Sequence, residues 1–253
     1  MAKFQDKVVL VTGGSRGLGR AMSIGFAKEG AKVVIASRKQ ENCTALADEI
    51  IADGGQAIGI AAHTGKNEDI DHLLTEVQKA YGAVDILVNN AGTNIAFGSL
   101  SDLTADQFDK MYQINLRGPW YLASRLAPVM KENGGGAIIN IITVGALRPP
   151  AFNGFYAATK AGLEALTKVM AQEWAASGIR VNAIAPGPYR SDLVDASIES
   201  IPGFEDGMRD STLLKRIADS EEILNPVFYL ASESNTTGIT LVADGGFMAS
   251  ASP

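Results

Sequence analysis

The sequence has one cysteine, Cys43, and only two histidines, His63 and His72. A single cysteine excludes a disulfide within the chain and is typical of a protein from a reducing compartment. Two separate histidines and one cysteine provide no cluster of metal ligands. We therefore expect no metal site.

Long apolar segments and runs of like charge are also missing. The most apolar stretch, Ala137 to Leu147, is too short to span a bilayer and contains Asn140 and Thr143. With 22 Lys and Arg against 28 Asp and Glu, the net charge is −6 and no basic patch stands out, so we expect neither nucleic acid nor a membrane as a partner. The start at Met1 lacks the layout of a signal peptide. We therefore expect a soluble, cytoplasmic protein.

What the sequence does contain is a regular alternation of short apolar runs with helical patterns. The first runs, Lys7 to Thr12 and Lys32 to Ser37, are typical of buried strands. Strands that alternate with crossover helices predict an α/β fold: a doubly wound parallel sheet of about seven strands with helices on both faces. No repeat or linker divides the chain, so we assign residues 1–253 to a single domain. Residues 188–219 lack the alternation; a long irregular loop is usually either mobile or functional, and we interpret this one as a substrate loop.

A glycine-rich segment follows the first apolar run and precedes the first helical pattern. It reads TGGSRGLGR, with the spacing G-x-x-x-G-x-G. Glycines let the backbone turn sharply and approach a pyrophosphate, whose charge suits the N-terminus of a helix. We therefore predict a dinucleotide site here, with an ordinary strand–helix turn as the alternative. Its candidate residues are Gly13, Ser15, Arg16, Gly17, Leu18 and Gly19.

The end of the second strand indicates which dinucleotide is preferred. It reads Ser37-Arg38-Lys39, without the carboxylate that would bind the ribose 2′-hydroxyl of NAD. Arg38, with Arg16 as a second candidate, can hold a 2′-phosphate through paired donors. Solvated surface cations are the alternative interpretation. We predict that NADP(H) is favoured, and NAD(H) remains open.

Tyr156 and Lys160 lie in a run of good helix formers and are four residues apart, so they share one face of the predicted helix. An ammonium nearby favours the phenolate and lowers the pKa of the phenol from about 10. Such a pair can donate and accept a proton near neutral pH. The alternative is a half-buried tyrosine beside a solvated lysine.

Taken together, these motifs resemble the classical short-chain dehydrogenase/reductase family along nearly the whole chain. The resemblance implies a single-domain Rossmann-type fold that interconverts alcohols and carbonyls with NAD(H) or NADP(H). The matching segments are Thr12-Gly13-x-x-x-Gly17-x-Gly19, Asn89-Asn90-Ala91-Gly92, Asn115, Tyr156-x-x-x-Lys160, Pro186-Gly187, Thr237-Gly238 and Asp244-Gly245-Gly246.

The resemblance also implies roles for four catalytic residues. Tyr156 would be the general acid and base, Lys160 would lower the pKa of that phenol and hold the nicotinamide ribose, and Asn115 would anchor a water in a proton relay. Thr143 stands where the family has a substrate-orienting serine; it keeps the hydroxyl but adds a methyl group. The changed serine leaves a second hypothesis open, a catalytically weakened cofactor-binding protein that acts as a nucleotide sensor or scaffold.

Further cofactor contacts are implied at the ends of three other strands. They add to Tyr156 and Lys160. After the third strand the candidates are His63 and Thr64, where the family usually has an aspartate. At the end of the fourth strand they are Asn89, Ala91 and Gly92, and at the end of the sixth they are Pro186, Gly187 and Ser191.

The candidate substrate pocket is mostly apolar, so we expect an uncharged ketone or secondary alcohol. Its wall would be formed by Asn94, Ile95, Leu147, Phe152, Phe155 and Tyr189. Arg148 and Arg190 leave room for an anionic group. A 3-oxoacyl thioester and a sugar or polyol remain alternative substrate classes. The resemblance further implies a homo-oligomer, a tetramer or a dimer, built partly on the helices of Thr104 and Tyr156.

Overall fold

The computed structural model describes residues 2–250, without the side chains of residues 192, 193, 196 and 197. Seven strands form one sheet in the order β3-β2-β1-β4-β5-β6-β7, and every neighbouring pair is parallel. This confirms the predicted doubly wound α/β sheet. The strands are β1 (Val8–Thr12), β2 (Lys32–Ser37), β3 (Gln56–Ala61), β4 (Ile86–Asn89), β5 (Gly136–Ile141), β6 (Ile179–Pro186) and β7 (Thr240–Ala243).

Helices connect the strands. They are α1 (Gly17–Lys28), α2 (Gln40–Ala52), α3 (Asn67–Tyr81), α4 (Ala105–Tyr112), α5 (Gly118–Glu132), α6 (Val144–Leu147), α7 (Gly154–Trp174), α8 (Asp192–Ser200), α9 (Phe204–Asp210) and α10 (Leu224–Ser232). Within residues 2–250, none of them combines the length and the apolar character needed to cross a bilayer.

The two faces of the sheet carry separate apolar cores. Successive residues of a strand point to opposite faces, so Val9 and Val11 pack with α1, α2 and α10, whereas Val8 and Leu10 pack with α3, α5 and α7. Both faces of the sheet are therefore covered by helices.

The strand order reverses between β1 and β4, because the chain builds β1 to β3 in one direction and β4 to β7 in the other. In sheets of this type, ligands bind in the crevice at the carboxyl ends of the two strands that flank such a reversal. Here those ends are Thr12 and Asn89.

A π-helical turn, Gln113–Arg117, joins α4 to α5 and replaces the simple kink that Gly118-Pro119 predicts. Pro119 has no N–H for the carbonyl of Asn115 four residues earlier, so the regular α-helical ladder cannot continue there. Turns of this kind are frequent at functional sites, because they redirect a side chain within a helix.

Residues 188–219 are more regular than the sequence indicates. They contain α8 and α9, and a bridge between Tyr189 and Ala218 joins the two ends of the segment. The pattern was missed because both helices are short, and Pro202 and Gly203 lie between them.

Candidate active site

The glycine-rich loop is tied directly to the end of β4. The Thr12 hydroxyl accepts hydrogen bonds from the backbone N–H groups of Asn90 (3.1 Å) and Ala91 (3.0 Å). In return, the Asn90 side chain donates to the carbonyls of Thr12 (3.0 Å) and Gly13 (3.2 Å). Asn90 therefore shapes the loop, although the sequence analysis did not include it among the site residues. Its position immediately after the strand was the available signal.

The N-terminus of α1 has the properties of an anion site. Arg16 occupies the N-cap position without a capping side-chain bond, and the first turn has no acidic residue, so its N–H groups have no side-chain acceptor from the cap. A Cβ on Gly19 would lie 2.0 Å from the carbonyl oxygen of Gly13, so only glycine fits there. Gly17 has a left-handed φ of 50°, and the Ser191 Cβ lies 3.5 Å from its ideal Cβ position. These features fit a dinucleotide pyrophosphate.

Two predicted phosphate ligands lie near the end of β2. Ser15 Oγ donates to Ser37 Oγ across 3.0 Å, which joins the glycine-rich loop to that strand. Arg16 directly follows Ser15, Arg38 directly follows Ser37, and both arginines are exposed. Within residues 2–250, neither guanidinium forms an ion pair. Leu18, the remaining loop residue, packs on the core beneath α1.

His63 and Thr64 follow β3 and lie beside the start of α5. His63 Nδ1 accepts a hydrogen bond from the N–H of Gly65 (3.1 Å), which places the ring proton on Nε2 as an available donor. The backbone N–H of His63 is held by Asp69 Oδ2 at 2.9 Å. Thr64 is buried, and its carbonyl oxygen is 2.1 Å from the position that a Cβ on Gly118 would take.

Asn89 is enclosed by the sheet and does not line an open cleft. Its side chain is 1% exposed and donates to Asn140 Oδ1 (2.9 Å) and to the carbonyl of Pro119 (3.2 Å). Asn140 continues the network to Thr167 on α7 at 2.8 Å. The side chain of Asn89 therefore acts on the cleft by holding β4, β5 and the two adjoining helices in place.

Lys160 and Asn115 converge beside Gly92. The ideal Cβ position of Gly92 lies 3.3 Å from Lys160 Nζ and 3.5 Å from Asn115 Oδ1. Lys160 is 2% exposed, and its ammonium donates to the carbonyl of Ile141, the last residue of β5, across 2.8 Å. The loop after β4, the π-helical turn, the end of β5 and helix α7 thus meet at one place.

Asn115 fastens this arrangement through three hydrogen bonds. Its Oδ1 accepts from the N–H of Thr93 (2.8 Å), and its Nδ2 donates to the carbonyl of Thr93 (2.8 Å) and to Thr159 Oγ1 (3.2 Å). Thr159 in turn donates to the carbonyl of Tyr156. Asn115 therefore holds the loop after β4 against the helix that carries Tyr156 and Lys160. No motif in the sequence identifies Thr93 or Thr159.

Burial controls the pKa values of the two central groups. It raises the pKa of the Tyr156 phenol to about 12 and lowers the pKa of the Lys160 ammonium to about 8. The sequence predicts that the ammonium lowers the pKa of the phenol, whereas in the folded protein burial raises it. Desolvation disfavours the charged form of each group.

Thr143 lies two residues after Ile141 and caps helix α6. Its Oγ1 accepts a hydrogen bond from the N–H of Gly145 at 3.2 Å, so the hydroxyl keeps its own proton for donation. After β6, Gly187 packs against Asp244, and Ser191 begins α8 by accepting the N–H of Val194 at 3.3 Å.

The predicted pocket residues are distributed over different parts of the fold. Phe155 packs edge-on against Phe108 of α4, with ring centroids 5.1 Å apart. Leu147 packs on the same apolar cluster as Phe247 and Met248 near the C-terminus. Tyr189 packs on the α1 and α10 side of the sheet instead, where it lines a cavity of about 460 Å³.

The remaining pocket candidates are Asn94, Ile95 and Phe152. Asn94 donates to Asn153 Oδ1 at the start of α7 across 3.0 Å. Ile95 and Phe152 are 40% and 68% exposed.

Arg148 and Arg190, which the sequence offers as partners for an anionic group on the substrate, both interact with other groups of the protein. Arg148 donates to the carbonyls of Phe247 (3.3 Å) and Ser250 (3.4 Å). Arg190 pairs with Asp195 and Glu205. A substrate anion would have to compete with these contacts.

Known proteins share this combination of fold and motifs. Residues 7–201 match the family model described as short chain dehydrogenase. The human dehydrogenase/reductase SDR family member 4 is 35% identical over 244 residues, covering 95% of this chain and 87% of that protein. A 3-oxoacyl-(acyl-carrier-protein) reductase from Staphylococcus epidermidis is 36% identical over 245 residues, covering 95% and 98%.

A solved structure agrees over the whole length. L-sorbose reductase from Gluconobacter frateurii, complexed with NADPH and L-sorbose, superposes with a TM-score of 0.93 at 30% identity, covering 99% of this chain and all of that one. The family model, the relatives and the arrangement around Asn115, Tyr156 and Lys160 lead to the same conclusion: the chain belongs to the short-chain dehydrogenase/reductase family of oxidoreductases.

Proposed function

We propose that the protein transfers a hydride between a nicotinamide cofactor and a ketone or secondary alcohol, with Tyr156 as the general acid and base. The observation that carries this proposal is the convergence of Lys160 Nζ and Asn115 Oδ1 on one point beside Gly92, at the edge where strand order reverses. A structural lysine gains nothing from such burial, because desolvating its ammonium is costly. A perturbed ammonium in a cleft is typical of a functional site.

Each side chain has a separate task in this proposal. A bound nicotinamide supplies or accepts the hydride. During reduction, Tyr156 gives its proton to the oxygen of the substrate, and the high pKa of the buried phenol keeps that proton in place until the oxygen becomes basic. Thr143 can donate a second hydrogen bond to the same oxygen, since its own acceptor function is already used by Gly145. Asn115 holds the loop after β4 against the helix that carries Tyr156 and Lys160.

Tyr156→Phe tests the proton-transfer role. Within residues 2–250, no protein group shares a hydrogen bond with the Tyr156 hydroxyl, so its removal leaves no buried partner unpaired, and we expect the melting temperature to stay near that of the wild type. Turnover of a ketone panel should fall at least about 100-fold, while NADPH binding measured by fluorescence changes little. Turnover at the wild-type rate would refute the role of the phenol. A wild-type protein that binds NADPH but reduces no ketone would instead support the weakened cofactor-binding protein.

We further propose a preference for NADP(H), held by Arg16 and Arg38. Two observations support this preference. Arg16 in the glycine-rich loop and Arg38 after β2 are both exposed, and the end of β2 has no carboxylate. Charge-assisted contacts to a phosphate are among the stronger hydrogen bonds. L-sorbose reductase, which binds NADPH, gives supporting analogy. Arg38→Ala should weaken NADPH binding roughly 10-fold or more and leave NADH nearly unaffected. Arg20→Ala, which removes a cation already paired with Glu49, is the matched control.

We also propose that the protein is a homo-oligomer. Tyr112 at the end of α4, Trp120 in the first turn of α5 and Val169 on α7 are 41%, 43% and 44% exposed, and α7 packs against both α4 and α5. Light scattering should give a mass of two or four chains, and Val169→Lys should shift it towards one. A cytoplasmic location remains a prediction from the sequence, and fractionation of expressing cells checks it.

A further inference from the structure

Two asparagine side chains connect the loop after β4 to the catalytic helix. Asn94 directly follows Thr93, which is held by two of the hydrogen bonds of Asn115. Asn153 is the residue before α7, three positions ahead of Tyr156. Asn94 Nδ2 donates to Asn153 Oδ1 across 3.0 Å. The pair therefore lies between groups that belong to the proposed reaction centre.

The hydrogen-bonding capacity of this pair is only partly used. Asn94 Oδ1 is buried and accepts no hydrogen bond from the described part of the chain. Asn153 holds the N-cap position of α7, yet its side chain does not cap the helix. Its Nδ2 also has no acceptor within residues 2–250. A buried acceptor without a donor destabilises a protein, so such a group in a native structure calls for an explanation.

The backbone in front of Asn153 is strained. Phe152 has a φ of 64°, in the left-handed region that a bulky residue rarely occupies. Its carbonyl accepts the N–H of Gly98 at 2.9 Å, which fixes the turn. Strain of this kind persists where the surrounding structure imposes it, and it is concentrated at ligand-binding sites. The turn leaves the Phe152 ring exposed and brings the Asn153 amide to Asn94.

We propose that the Asn94–Asn153 pair binds a hydroxyl group next to the reacting carbonyl, so that the preferred substrate is an α-hydroxy ketone. A hydroxyl can donate to Asn94 Oδ1 and accept from Asn153 Nδ2, whereas a hydrogen atom in its place leaves both amide groups unpaired. A site built to bond a substrate hydroxyl discriminates strongly against the analogue that lacks it. This inference rests on the proposed function and specifies its substrate class.

The test compares 3-hydroxybutan-2-one with butan-2-one, which differ by one hydroxyl, in NADPH-dependent reduction. For the wild type we expect kcat/KM to favour the hydroxy ketone by about 100-fold. Asn153→Ala and Asn94→Ala should each reduce this ratio at least about 10-fold, chiefly through a higher KM for the hydroxy ketone. Since the two amides act as one unit, the double variant should lose little more than the more severe single variant.

Asn133→Ala is the matched control. Asn133 is exposed at the end of α5, where its amide donates only to the carbonyl of Val129, and its loss should leave the ratio unchanged. Melting temperatures check the fold of each variant. If Asn94→Ala does not fold, Asn153→Ala is sufficient for the test, because its side chain caps no helix.

Three outcomes are decisive. Equal kcat/KM values for the two ketones in the wild type would overturn the hydroxyl site and leave the proposed oxidoreductase intact. An equal loss for both ketones in Asn153→Ala would also overturn it, because that pattern means a purely structural role. Absence of turnover with every ketone and alcohol would overturn the proposed function itself.

Discussion

The buried ammonium of Lys160 should make the stability of the protein depend on pH between 8 and 10.5. Lys160 is 2% exposed and donates to one carbonyl, so folding transfers a cation out of water with little compensation. Burial lowers its pKa from 10.5 to about 8, a difference of 10.5 − 8 = 2.5. A base whose pKa is lower in the folded than in the unfolded state binds fewer protons when folded. The free energy of unfolding therefore rises with pH between the two pKa values. The full change is on the order of 3 kcal/mol.

Urea denaturation of the wild type and of Lys160→Met, at pH 7.5, 8.5 and 9.5, measures this effect. Methionine fills a similar volume without a charge, and the other titrating groups are common to both proteins. Relative to the variant, the wild type should gain roughly 2 kcal/mol in free energy of unfolding between pH 7.5 and 9.5. The series stops there because the raised pKa of Tyr156 lowers stability only above pH 10. Parallel pH profiles for the two proteins would refute the reasoning.

Substitutions at three other residues, with one control, address the rest of the site. Asn115→Leu removes three hydrogen bonds and leaves buried partners unpaired, so urea denaturation should show a loss of about 2–4 kcal/mol; a loss below 1 kcal/mol would contradict its fastening role. Gly19→Ala places a Cβ 2.0 Å from a backbone oxygen and should abolish NADPH binding, whereas Gly207→Ala, which meets nothing within 4 Å, should bind normally. Thr143→Ser should preserve ketone reduction, and Thr143→Val should depress it about 10- to 100-fold; equal rates in both variants would exclude a role for the hydroxyl.

Local sequence patterns predicted the sheet well, because each strand is buried on both faces and therefore reads as a continuous apolar run. Strand β2 begins and ends at the predicted residues, and β1 begins one residue later than predicted. The helical region after β4 was less accurate: proline predicted a kink, and the structure has a π-helical turn beginning at Gln113. Residues 188–219 were predicted as irregular, since helices shorter than three turns carry too few residues to reveal a period.

The candidate site depends partly on local sequence patterns and partly on contacts between residues that are distant in the chain. The glycine-rich loop and the Tyr156–Lys160 pair are local patterns. The spacing of the glycines places them in one turn, and the spacing of Tyr156 and Lys160 places them on one face of a helix. Asn89 was predicted to line the cofactor cleft, and its side chain lies instead in a buried amide network with Asn140, because a side chain at the end of a strand can point to either face. Tyr189 shows the same ambiguity, since it packs on the opposite side of the sheet from α7.

By itself, the sequence determined the alternating α/β order, the glycine-rich turn after β1 and the presence of a phenol and an ammonium one helical turn apart. These depend on neighbours within a few residues, which the chain specifies directly. Only the tertiary structure decided that burial raises the pKa of Tyr156 and lowers that of Lys160, and that Asn94 meets Asn153. Desolvation and such contacts depend on residues that are distant in the chain and are brought together only by the packed sheet.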